Sequence, residues 1–161
     1  LELKHSDEVN NIQEFIEALK ETGVKMNSTT LEDIEELKKI TNGKQLPNAY
    51  IEFYKHMGNG VPFFKGHSCF RNEIFMLKAG AEELLKENSF PCELSENDFV
   101  FWMSQGYMFC YFRLDEGNDP PIYYYCEGRG LTNFYRIADS LSSFLYRFYI
   151  LDKDLFKSMN N

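Results

Sequence analysis

Apolar positions along this chain change their period partway, and the change divides it into a helical first part and a stranded second part. Val9, Ile12, Phe15, Ile16 and Leu19 recur at helical spacing. Ser6 or Asp7 can cap the start of this predicted helix, and Gly23 follows its end. A second helix is predicted from Thr30, whose hydroxyl faces Asp33 three positions on, as in a capping box. Leu31, Ile34 and Leu37 would form its inner stripe, and Asn42 with Gly43 would stop it. A third opens at Leu46 and Pro47, because proline at the first helical position loses no hydrogen bond. Tyr50, Phe53, Tyr54 and Met57 give that helix an aromatic face, and Gly58, Asn59, Gly60 and Pro62 break it into an exposed loop.

Beyond this point the apolar runs shorten to strand length. Residues 74–77 read as a strand, 81–86 as a short helix and 90–92 as irregular chain. Two runs, 99–103 and 107–112, meet at Ser104, Gln105 and Gly106 and predict a central hairpin over 98–113. Neither run alternates strictly, so both faces of the sheet should be covered. A turn-rich acidic loop over 115–121 leads into a strand at 122–126, where alternation sends Tyr124 to the face opposite Tyr123 and Tyr125. A turn at 128–130 and an edge strand at 133–135 follow. Ile137, Leu141, Phe144, Leu145 and Phe148 mark a closing helix with Asp139 or Ser140 near its start. The order predicts an α+β fold. A mainly antiparallel sheet of about four to six strands would be flanked by N-terminal helices and a C-terminal helix.

Composition narrows the function classes. With 161 residues the chain is long enough for one domain with a continuous core, and fifteen Phe, ten Tyr and one Trp exclude a disordered chain. Lys and Arg number 17 against 25 Asp and Glu, a net charge of -8, which lacks the basic footprint that nucleic-acid binding requires. Such a surface suits a basic protein partner, and on charge alone it serves solubility equally well. Cys69, Cys92, Cys110 and Cys126 are widely spaced, with no C-x-x-C pair, as expected of free thiols in a reducing cytoplasm. No apolar run reaches the roughly 20 residues of a membrane span.

The residues that could carry chemistry do not converge. His5 and His56 stand apart, and His67 with Cys69 supplies only two of the three or more protein ligands a zinc site needs. Cys110 sits within the most apolar run and reads as a small buried hydrophobe. The pairs Glu35/Glu36 and Glu82/Glu83 point in different directions on their helices. The cluster Gly58, Asn59, Gly60 lacks the spacing and lysine of a phosphate loop. Neither metal nor cofactor is expected, and an enzyme or small-molecule binder is the weaker alternative to a protein-binding module.

Four segments together resemble the SUKH superfamily, which contains bacterial immunity proteins and a fungal regulator of cell-wall synthesis. They are the helix at Thr30 to Glu35, and Gln45, Leu46, Pro47, Asn48, Ala49 and Tyr50 closed by Gly58, Asn59 and Gly60. The others are the hairpin over 102–109, and the Pro121-led strand with the closing helix over 137–145. The likeness covers about 29–150 and leaves 1–28 as an additional N-terminal helix. Many members carry Gly-Asp at the hairpin turn, where this chain has Gly106 and Tyr107. The resemblance implies an α+β fold and a cytoplasmic protein that neutralises a toxin by binding it, with no catalytic residues. A housekeeping scaffold is the alternative within the same family. On this reading the candidate partner-binding residues lie in loops and strand ends beside the hairpin: Asn59, Gln105, Tyr107, Arg113, Asp115, Glu116, Asp119 and Tyr124.

Overall fold

The computed structural model describes residues 9–160. Its helices are α1 (Ile12–Glu21), α2 (Leu31–Glu36), α3 (Lys38–Thr41), α4 (Asn48–Met57), α5 (Leu77–Glu87) and α6 (Leu141–Asn160). The strands β1 (Asp98–Ser104), β2 (Met108–Arg113), β3 (Ile122–Cys126) and β4 (Tyr135–Ala138) form one antiparallel meander in the order β1-β2-β3-β4. This is the expected α+β fold, at the lower end of the expected strand number.

The sheet is sandwiched because β1 and β2 are apolar on both faces. On one face Phe99 stacks on Phe112 with ring centroids 5.0 Å apart, and Tyr50 of α4 lies over both. A bulge between Val100 and Trp102 interrupts the alternation, so β1 sends Phe101 and Trp102 to this same side. Both meet Phe144 of α6. On the other face α5 packs along β1, with the Met103 thioether beside Gly80. Phe15 of α1 adds a further layer, edge-on to Phe63 and Tyr149, and Thr22 shares a hydrogen bond of 3.0 Å with the Tyr149 hydroxyl.

Several local expectations need correction. The cap of α1 is Asn11, which accepts from the Glu14 N–H, so the helix starts after Val9; Ser6 and Asp7 lie outside the described residues. The capping box at Thr30 and Asp33 is present, but it turns Leu31 outward, 75% exposed, while Leu37 takes the buried position. Pro47 precedes α4 instead of opening it, since the Asn118 carbonyl receives the Ala49 N–H and starts the helix at Asn48. Residues 74–77 are not a strand. Ile74–Met76 form a 3-10 turn running into α5, because Ile74 and Leu77 are buried one turn apart while Phe75 and Met76 face solvent. The edge strand begins at Tyr135, as the Asn133 side chain bonds the Phe134 N–H and holds that pair in a turn. Ile137 consequently belongs to β4, not to the face of α6, and Ser140 caps α6 by accepting from the Ser143 N–H.

Candidate protein-binding surface

The hairpin turn is built on two left-handed residues, Gln105 (φ 47°) and Gly106 (φ 73°), closed by the Tyr107 N–H donating to the Ser104 carbonyl. Positive φ at both central positions matches the twist of the flanking strands. It leaves Gln105 fully at the tip and Tyr107 40% exposed beside it.

At the opposite end of β2 the chain forms a tighter group. The Tyr123 hydroxyl donates to both Glu116 carboxylate oxygens, at 3.0 and 3.1 Å. The Arg113 guanidinium lies 4.3 Å above the Tyr123 ring and 3.5 Å from Glu116. Asp98, nearly buried, stands 3.8 Å from Arg113 and accepts the Ser95 N–H. Beneath them Tyr111 stacks on Tyr123 across the strands, and burial pushes the Tyr111 phenol up to about 12. The Tyr123 phenol is raised first by burial and then by its bond to Glu116. Both phenols stay neutral, Tyr123 donates to Glu116, and Arg113 is held over the Tyr123 ring as a half-exposed cation.

The other candidates separate into internal and external roles. Asp119 accepts from the Ser142 N–H at 3.0 Å and the Ser142 hydroxyl at 2.7 Å, so it caps α6 from another loop. Asn59 donates to the Ser28 carbonyl and accepts from Arg71, bracing two loops while remaining exposed. Asp115 is exposed next to the Arg113 group. Tyr124, half-buried, meets the exposed Tyr135 edge-on at 5.7 Å, on the face opposite Tyr123 and Tyr125.

Tyr123 and Tyr135 were missed as partners of these residues. Their sequence signal, a run of aromatic positions in a strand, does not reveal which neighbours the β2–β3 and β3–β4 registers supply. Phe75 and Met76, exposed on their turn, were hidden by the strand reading.

For chemistry the remaining candidates offer little. Among the described residues no three His, Cys, Asp or Glu side chains gather as metal ligands. Cys69 and Cys110 are fully buried, and burial raises both thiols above their ordinary range. A raised thiol is a poor nucleophile. His56 faces Glu52 at 3.5 Å on its own helix, and His5 lies outside the described residues. No helix among the described residues is long and apolar enough to cross a membrane.

An antiparallel meander sandwiched by helices, with ordered polar and aromatic groups at loops and strand ends, defines an α+β module. The chain belongs to the SMI1 / KNR4 family (SUKH-1), whose model matches residues 28–147. That family is generally a non-catalytic immunity and binding family. No curated protein matches the sequence significantly.

Proposed function

We propose that this protein is an immunity protein that binds a cognate toxin domain in the cytoplasm and covers its active surface. Membership of the SMI1 / KNR4 family carries the reading. The net charge of -8 supports a basic, nuclease-type partner, because opposite charge steers and orients association. The partner would meet Tyr107 and Gln105 at the hairpin tip and Arg113, Asp115 and Glu116 at the hairpin exit. Asn59 and Tyr124 would lie at the margins, and Asp119 would act by holding the exit loop to α6. An Arg and a Tyr locked together by Glu116 make a suitable anchor, since these residue types dominate interface energetics and a fixed geometry costs little entropy on binding.

Co-expression with the toxin domain encoded beside its gene tests the proposal. Growth should be restored and the two chains should co-purify. Continued growth arrest with no complex in a pull-down would sink it.

A further inference from the structure

A concavity of about 890 Å³ lies where the loop before α2 meets the loop after α4. Backbone bonds tie these loops together, the Asn27 N–H to the Gly60 carbonyl at 2.9 Å and the Asn59 N–H to the Asn27 carbonyl at 3.0 Å. The trough is therefore preformed. Its lining reverses the sign of the rest of the protein: Lys25 and Lys65 project from the two loops, and Glu73 is the one carboxylate among the described lining residues. Neither lysine has a carboxylate within 4.0 Å among the described residues, which is also true of Lys39, Lys55, Lys86 and Arg129, but Lys25 and Lys65 line one trough together. Asn27 and Asn72 add side-chain amides with no hydrogen bond among the described residues, and Val61 and Phe70 supply apolar wall.

We propose that this trough receives an acidic segment of the protein partner, several Asp or Glu side chains carried on one peptide. The inference rests on the reading of the chain as a protein-binding module. Two cations lining one trough within a chain of net charge -8 give that trough a sign opposite to the overall surface, which fixes register, because the same segment is repelled elsewhere. The donors come from separate stretches of chain, Lys25 and Asn27 before α2 and Lys65 and Asn72 after α4, along a trough the size of a ligand site. Spaced carboxylates match that layout.

The test measures fluorescence anisotropy of a fluorescein-labelled deca-glutamate peptide with the full chain at low salt, with deca-lysine and a ten-nucleotide thymidine strand in parallel. The double variant K25E/K65E is compared with K20E/K38E, which makes the same change in net charge on surface lysines outside the trough. Binding of deca-glutamate should weaken at least tenfold in K25E/K65E and less than threefold in K20E/K38E. Equal loss in both variants, no binding to the wild-type chain, or tighter binding of the thymidine strand than of deca-glutamate would each overturn the proposal. Toxin pull-down is read separately: a complex formed without any deca-glutamate binding rejects the trough and spares the immunity reading, and the converse rejects only the latter.

Discussion

Two residues show how local environment sets behaviour here. Tyr123 gives its hydroxyl to both oxygens of Glu116 while its ring carries Arg113. Tyr123→Phe keeps the ring and removes the hydroxyl, so it should lower stability by about 1 kcal/mol, the usual worth of such a bond, in urea unfolding. Glu116 would then lose the hydroxyl that fixes it beside Arg113, and affinity for the partner should fall by more than the stability does. His67 is the second case. Its ring lies tilted against Trp102 at 4.7 Å, meets Phe64 and Phe148 edge-on, and shares a hydrogen bond between Nδ1 and Ser104. Burial holds its pKa below the ordinary value of about 6.5. The unfolded chain therefore binds the proton more readily, so His67 contributes stability above that value and loses it as pH falls through it. Urea midpoints at pH 7.5 and 5.5 should drop more for the wild type than for His67→Gln; equal drops would assign the slope to other groups.

Among the elements, those whose period and stop signals agree are the ones legible in the residues alone: α1, α4, the hairpin and β3. In α4 the positions of Tyr50, Phe53, Tyr54 and Met57 leave one face to bury, and Gly58 and Gly60 follow. Where the chain deviates, a competing local bond decides, as with the bulge that turns Trp102 beside Phe101, or the Asn133 side chain that delays β4. Non-local capping is invisible along the chain. The loop between β2 and β3 starts two helices at once, Asn118 serving α4 and Asp119 serving α6. Asp119→Ala should cost roughly 1 kcal/mol in thermal or urea unfolding, as lost caps do, while Asp115→Ala, exposed in the same loop, should be nearly neutral. Equal effects would deny Asp119 its capping role. The hairpin turn offers the opposite sign. Gln105 adopts φ 47°, a conformation that costs a side chain other than Asn or Gly about 1 kcal/mol. Gln105→Asn gives the Asn-Gly pair that such turns favour and should raise the urea midpoint by part of that amount. A fall would mean that the Gln105 side chain makes contacts worth more than the strain.

At the scale of the whole molecule, the family core over residues 28–147 gains a further layer at its N-terminal side, α1 packed against α6 through Phe15, Tyr146 and Tyr149. Both hydrophobic patterns were readable, but their meeting was not, since Thr22 and Tyr149 stand far apart along the chain. The candidate site was legible only in part for the same reason. Arg113 and Glu116 stand out because the apolar pattern breaks there, while the Lys25 and Lys65 trough exists only once two distant loops are tied together. Charge behaves differently, since a sum needs no fold. The excess of Asp and Glu gives a long-range field that attracts a basic partner from beyond contact distance, and salt shortens its reach from about 30 Å at 0.01 M to about 8 Å at physiological strength. Short-range contacts such as Tyr123 with Glu116 are screened far less. Association with the toxin domain in stopped flow should therefore slow by at least tenfold between about 20 and 500 mM salt, with the dissociation rate changing little. An association rate indifferent to salt would remove steering from the proposal and leave the exposed tyrosines and the Arg113 group to account for recognition.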